Sequence, residues 1–234
     1  MTQASLNTVA VIPAAGFGIR MKSKRAKQFL SLDGRPILAV TLLHFQECNE
    51  VDRIVLVAPS GDVDYCREHI VEEFGLTKVE TIVPGGERRQ DSVRLGIQAT
   101  GGKFDRVLIH DGVRPVIEAA LLKRVLDAAR THRAVIAALP AKETVKEVDD
   151  RGEVVRTYDR RRVWMVQTPQ VFRYQDILKA HTLALAEGWE EATDDALLVE
   201  RLGVSVTIVE GSEKNIKVTT PYDLELARFL LSAS

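Results

Sequence analysis

Short runs of β-branched and aliphatic residues recur along the chain at 9–12, 54–58, 79–83, 107–109, 135–139 and 204–209, and each reads as a strand. They are close to continuously apolar instead of alternating, the pattern of strands covered on both faces. Between them, Val63, Cys66, Ile70 and Phe74 recur at helical spacing, as do Leu121, Leu122, Val125, Leu126 and Ala129, each set giving one apolar stripe. Alternating β and α units predict a single Rossmann-like α/β domain over 1–234, with a mostly parallel central sheet flanked by helices.

The texture changes after Pro140. Residues 142–164 are polar and charged, β-branched at intervals, and interrupted by Asp150-Arg151-Gly152, which predicts a protruding β-hairpin arm at 141–165. A two-stranded hairpin is poorly stable alone. It needs a surface, either a second subunit, making this a dimerisation arm in a homodimer, or the body of its own domain. Further on, Thr220-Pro221 opens a last helix, with Thr220 as N-cap and Pro221 in the first turn.

With 234 residues the chain can bury a large core without disulfides or a structural metal. Cys48 and Cys66, without paired spacing, read as small apolar residues. The 32 Lys and Arg against 33 Asp and Glu give a net charge of −1, which argues against a nucleic-acid binder relying on a basic face. No basic segment followed by a long apolar run opens the sequence, and no window resembles a membrane span, so a cytoplasmic protein without a membrane partner is expected. His44, His69, His110, His132 and His181 show no metal-ligand spacing and read as non-catalytic.

The strongest chemical signal follows the first strand: Pro13-Ala14-Ala15-Gly16-Phe17-Gly18-Ile19-Arg20-Met21, then Lys27-Gln28. Small residues let backbone N–H groups approach an anion closely, and the carboxyl end of a strand is the usual ligand edge of such a sheet. Met21 stands where a dinucleotide fingerprint wants glycine, and no phosphate-loop G-x-x-x-x-G-K-[ST] occurs. By itself the loop is a tight turn or an anion site.

This loop, A-A-G-x-G-x-R-M with K-Q-F-L, resembles the triphosphate loop of the sugar-phosphate nucleotidyltransferases. Five further motifs follow in order: Gly85-Gly86-Glu87-Arg88-Arg89-Gln90-Asp91-Ser92-Val93, His110-Asp111-Gly112-Val113-Arg114-Pro115, Thr168-Pro169-Gln170, Thr193-Asp194-Asp195, and Asn215-Ile216-Lys217-Val218-Thr219. Together they resemble the 2-C-methyl-D-erythritol 4-phosphate cytidylyltransferase family from about residue 9 to 231, with the D-ribitol-5-phosphate cytidylyltransferases as the alternative. The resemblance implies transfer from CTP to a sugar-alcohol phosphate in non-mevalonate isoprenoid synthesis, with pyrophosphate released. It also implies Mg²⁺ or another divalent cation, chelated mainly by the CTP phosphates.

Arg20, Lys27, Arg160 and Lys217 are its expected catalytic residues. Pro13, Ala14, Ala15, Gly16, Phe17, Gly18, Gly86, Arg89, Ser92, Asp111 and Arg114 would bind CTP, with Asp111 as the candidate metal ligand. Thr144, Arg160, Thr168, Thr193 and Lys217 would hold the acceptor. Without the resemblance, Gly85-Gly86 is a turn with Asp91 or Ser92 starting a helix, Thr193 is a helix cap, and Lys217 a surface lysine. Two positions depart from the family pattern: Ala26, where many relatives have proline, and Lys214, where an acidic residue is common.

Overall fold

A computed structural model describes residues 6–16, 26–189 and 192–232. From β1 (Thr8–Pro13) the chain passes through a small hairpin, β2 (Ser31–Leu32) and β3 (Arg35–Pro36), into α1 (Ile37–Glu47) and β4 (Arg53–Ala58). A short α2 (Val63–Cys66), continued as a wider turn through Arg67–Glu72, precedes β5 (Val79–Pro84). Next come α3 (Arg89–Ala99), β6 (Arg106–Ile109), α4 (Ala119–Ala128) and β7 (Ala134–Pro140). The arm carries β8 (Lys146–Val148) and β9 (Val154–Thr157), and β10 (Trp164–Arg173) re-enters the body. Helices α5 (Tyr174–Ala186) and α6 (Asp195–Glu200), strand β11 (Val206–Glu210) and α7 (Pro221–Ser232) complete the described chain.

Seven strands form one sheet in the order β11-β7-β10-β6-β1-β4-β5. Its neighbours are parallel except that β10 runs antiparallel to both β6 and β7. The six strands expected from the apolar runs are all present. Strand β10 was not expected: its Gln167-Thr168-Pro169-Gln170 stretch is polar, and proline disfavours a central strand. A bulge between Val166 and Gln170 resolves the conflict by taking Pro169 out of the ladder with β7.

One apolar cluster unites Ile12, Leu38, Phe45, Leu56, Ile70, Leu121 and Val125, joining α1 and α4 to one sheet face. Another unites Val11, Val57, Ile97, Phe172, Ile177 and Leu198, covering the other face with α3, α5 and α6. Helix α3 lies so close that a Cβ on Gly96 would sit 2.5 Å from Val11 and 2.8 Å from Val57. Cys66 is buried and Cys48 half-buried, both as free thiols; burial pushes the Cys66 thiol up to about 12.

Within 141–165, β8 and β9 pair as an antiparallel hairpin, and every residue of both strands is exposed, while Trp164 and Met165 already belong to β10. Its turn is held by Asp149, whose Oδ1 accepts from the N–H groups of Arg151 and Glu153. Thr220 caps α7, as expected, by accepting from Asp223 N. Two details differ from the sequence reading. Helix α3 begins at Arg89, ahead of Asp91 and Ser92. The cap of α6 is Asp194, whose Oδ1 accepts from Leu197 N at 3.0 Å, leaving Thr193 exposed outside the helix.

Candidate active site

Two adjoining cavities of about 420 Å³ each open at the carboxyl ends of the central strands. The first is bounded by Pro13, Ala14, Ala15 and Gly16 after β1, by Lys27 and Gln28, and by the turn from Gly86 to Arg89 that leads from β5 into α3. Its two sides are pinned. Gln28 Nε2 donates to Ala14 O at 2.6 Å, and Gly86 N donates to Ser92 Oγ at 3.2 Å. The Ser92 hydroxyl in turn donates to Arg88 O, so it shapes the turn whatever else it contacts. Gly85 is obligatory for this closeness, since its Cβ would lie 2.2 Å from Ala15 Cβ.

The wall common to both cavities is made by Arg89, Asp111 and Lys217. Asp111 follows β6 and is buried, yet three cations reach it: Arg89 Nε at 3.1 Å on Oδ1, and Lys217 Nζ at 2.9 Å and Arg114 Nε at 3.5 Å on Oδ2. Burial alone would raise its carboxyl, but the three cations outweigh that and hold it well below the usual carboxylate range. Arg89 also donates to Asp195 Oδ2 at 2.8 Å, and Asp195 accepts at 3.2 Å from His181 Nε2, both side chains being 1% exposed. Burial works against the Arg89 charge, and Asp195 with Asp111 more than restores it. Within the cluster of Arg89, Arg114, Lys217, Asp111 and Asp195 the three cations outnumber the two carboxylates.

The second cavity is reached through Thr168 and Gln170 of the β10 bulge, Thr193 and Asp194 ahead of α6, and Arg114. Thr168 Oγ1 accepts from Asp111 N at 3.1 Å and lies 3.1 Å from His110 Nδ1, while His110 Nε2 lies 3.2 Å from Arg114 O. A carbonyl only accepts, so Nε2 carries the proton and Nδ1 accepts from the Thr168 hydroxyl. Burial lowers the His110 pKa to about 3, so the ring stays neutral. Asn215 completes the frame by donating to Thr168 O and accepting from Arg114, each at 2.7 Å, which sets the loop carrying Lys217.

A roomy cleft beside a small-residue loop, joined through a wall bearing Arg89 and Lys217 to a second cleft, suits the meeting of two phosphorylated reactants. The sequence profile of the IspD family, 2-C-methyl-D-erythritol 4-phosphate cytidylyltransferase, matches residues 8–233. The chain is similar to the 2-C-methyl-D-erythritol 4-phosphate cytidylyltransferase of Geotalea uraniireducens, 48% identical over 97% of this chain and 98% of that one. It is 47% identical to the same-named protein of Syntrophus aciditrophicus over 95% of each. Its fold matches the crystal structure of 4-diphosphocytidyl-2C-methyl-D-erythritol synthase from Anaerococcus prevotii with a TM-score of 0.85 and 33% identity, covering 97% of this chain and 99% of that one. The chain belongs to the 2-C-methyl-D-erythritol 4-phosphate cytidylyltransferase family. It is an enzyme, a nucleotidyltransferase. The family and these relatives are named for methylerythritol phosphate, which leaves ribitol phosphate as acceptor without support.

Most of the residues expected to serve a cytidylyltransferase are drawn together. Pro13, Ala14, Ala15, Gly16, Lys27, Gly86 and Ser92 line the first cavity; Arg114, Thr168 and Thr193 line the second; Arg89, Asp111 and Lys217 line both. Thr144 and Arg160 lie exposed on the arm and line neither cavity, with Arg160 donating to Lys142 O at 2.8 Å. Phe17, Gly18 and Arg20 fall outside the described residues. Sequence reasoning assigned no role to Gln28, His110, Gln170, Asp195 or Asn215. All five lie inside the motifs quoted above and are buried, and such polar groups persist only when partnered, so membership of a motif was the signal available for them.

Ala26 has φ −59° and ψ 137°, within the range that proline adopts. Lys214 Nζ lies 3.6 Å from Glu118 at the surface. Among the described residues no group of three or more His, Cys, Asp or Glu side chains is arranged to hold a metal. Asp111, ionised at the shared wall, is compatible with Mg²⁺, which keeps several waters and takes one or two carboxylates beside substrate phosphates.

Proposed function

We propose that the chain transfers the cytidylyl group of CTP to 2-C-methyl-D-erythritol 4-phosphate. The products are 4-diphosphocytidyl-2-C-methyl-D-erythritol and pyrophosphate, on the non-mevalonate route to isoprenoid precursors. The observation that carries this reading is Asp111 shared by Arg89, Lys217 and Arg114 where the two cavities meet. An oxygen of the acceptor phosphate attacks the α-phosphorus, and the bond to the bridging oxygen of the β-phosphate breaks. The acceptor phosphate has a second pKa near 6 and arrives largely ionised, so no general base is needed. The obstacle is repulsion between anions, and the protein's part is charge and alignment.

CTP takes the first cavity, with the backbone amides of Ala15 and Gly16 against the triphosphate; Phe17 and Gly18, expected in the same role, lie outside the described residues. Gly86, Arg89 and Ser92 lie toward the base. Lys27 and Arg20 offset the charge that grows on the α-phosphate and bridging oxygens. The acceptor takes the second cavity, where Lys217, Thr168, Thr193 and Arg114 are grouped. Asp111 would be the side chain to hold or anchor Mg²⁺, which would be chelated mainly by the CTP phosphates and would supply further neutralisation of their charge. A second subunit receives the arm and with it Thr144 and Arg160, which would complete the neighbouring site. Support comes from the exposed Val148, Val154 and Val155, which are 55%, 56% and 64% exposed on a hairpin that makes little of its own core. A cytoplasmic reaction is our reading, in keeping with small, highly charged substrates; no helix among the described residues is long and apolar enough to cross a membrane.

The deciding experiment is pyrophosphate release with CTP and Mg²⁺, offering 2-C-methyl-D-erythritol 4-phosphate and D-ribitol 5-phosphate separately. Turnover with the first alone is expected. Turnover with the second alone would keep the chemistry and overturn the pathway.

A further inference from the structure

The second cavity is not polar throughout. Beside its cationic wall it presents three hydrocarbon side chains, Ile136 of β7, Val166 of β10 and Leu197 of α6. Ile136 is 4% exposed, and Leu197, half-buried, packs against the same apolar cluster. Val166 stands 44% exposed just before the bulge that carries Thr168.

Leu197 and Ile136 are tied to the polar frame, and Val166 stands beside them on β10, paired with Ala138 of β7. Asp194 accepts from Leu197 N at 3.0 Å through Oδ1, and from Gln170 Nε2 at 2.9 Å through Oδ2. One carboxylate therefore fixes the first turn of α6 to the bulge strand, and with it the position of Leu197. Gln170 pairs with Ile136 across the β10–β7 ladder, so the same tie reaches the third side chain.

A straight-chain polyol phosphate carries a hydroxyl at every free carbon, and each needs a partner when water is excluded. The cations, Thr168 and Gln170 can serve a phosphate and hydroxyls, whereas Ile136, Val166 and Leu197 can serve none. They can only receive hydrocarbon, and removing a methyl group from water into such a surface is favourable. We propose that Leu197, with Ile136 and Val166, forms a subsite for the methyl branch of the acceptor and so sets the enzyme's preference for a C-methylated over an unbranched polyol phosphate. This placement rests on the acceptor assigned above and goes beyond it by naming the side chains that read the branch.

The test compares kcat/KM of the full chain, with CTP and Mg²⁺, for 2-C-methyl-D-erythritol 4-phosphate and for D-erythritol 4-phosphate, which lacks only the methyl. One methyl group in an apolar pocket is worth about 10-fold or more in kcat/KM. The unmodified chain is therefore expected to prefer the methylated acceptor by at least about 10-fold. Leu197→Ala, which removes hydrocarbon, and Val166→Thr, which keeps the shape but adds a hydroxyl, should each shrink that ratio by about threefold or more. A ratio near one in the unmodified chain, or a ratio preserved in both variants, overturns the subsite. Should a variant turn over too slowly to measure, the same ratio is read from equilibrium binding of the two acceptors beside a non-hydrolysable CTP analogue. Absence of turnover with both acceptors in the unmodified chain would instead overturn the reaction itself, while the binding ratio still decides the methyl subsite.

Discussion

Arg89 and Asp195 stand 106 positions apart in sequence and meet with Nη1 2.8 Å from Oδ2, joining the first turn of α3 to the first residue of α6. Asp195 is 1% exposed, so its charge has no water to fall back on. Removing Asp195 strips one of the two carboxylates that offset the burial of Arg89 and leaves Asp111 as the other, at a cost of about 3 kcal/mol. Asp195→Asn is expected to lower the urea midpoint accordingly and to reduce Tm by roughly 6 to 12 °C for a chain of this length. A midpoint within experimental error of the unmodified protein would show that Asp111 alone suffices for Arg89.

The same buried groups predict how stability responds to acid. His110 is held neutral with a pKa of about 3, whereas in the unfolded chain it takes a proton near 6.5. Between those values the unfolded state binds more protons, so stability falls as pH drops below about 6.5. His44, also lowered by burial, contributes in the same direction. Asp111 and Asp195 have lowered folded pKa values, so their contribution is present above about pH 4 and is lost only as pH falls further. Urea midpoints followed from pH 7 to pH 3 should therefore decline in two stages, and His110→Gln should flatten the first. By NMR, the His110 ring signals should not titrate between pH 5 and 8; a midpoint in that range would break the network assigned to Thr168 and Arg114.

How much of this was readable beforehand depended on whether a residue's role was local. The parallel strands are apolar runs, and their burial on both sides is written into composition. The loop from Pro13 to Gly16 and the turn at Gly85-Gly86 announce themselves through small residues. Strand β10 was hidden because Gln167, Thr168 and Gln170 face a functional cleft and Pro169 sits in a bulge, so the element violates strand patterning where it serves the site. Asp195 was hidden differently. Next to Thr193 and Asp194 it looks like helix-cap chemistry, and only folding brings it to Arg89 and His181. The cap is Asp194, because its side chain, not that of Thr193, reaches Leu197 N.

Gly85 tests whether the two sides of the nucleotide cavity must touch. A Cβ there would meet Ala15 Cβ at 2.2 Å and Ser92 Oγ at 2.9 Å, and both neighbours belong to the walls of the cavity. Overpacking of this kind costs about 1–3 kcal/mol and is relieved by moving backbone. Gly85→Ala is expected to raise the KM for CTP about 10-fold or more through that movement. Gly61→Ala, at a position with open space around it, is the matched control and should leave both stability and KM alone. If Gly85→Ala binds CTP normally, the approach of the two walls is dispensable.

The arm sets the most exposed prediction, because it ties catalysis to assembly. Val154 and Val155 are among the apolar side chains most open to water on β9, and a charge placed there has no folding cost within the chain's own core. If a second subunit covers them, Val155→Asp buries an unpaired carboxylate at the contact and should convert a dimer into a monomer by sedimentation velocity. Arg160 shares the arm but is polar and exposed, so Arg160→Ala should leave the dimer intact while raising the acceptor KM or lowering kcat, with CTP binding kept. The two variants separate assembly from contact. Loss of acceptor response in both, with dimer lost only in Val155→Asp, is the outcome required if each active site borrows its neighbour's arm. A protein that sediments as a monomer before any substitution, yet turns over normally, would confine the arm to its own domain and remove Thr144 and Arg160 from the partner's site.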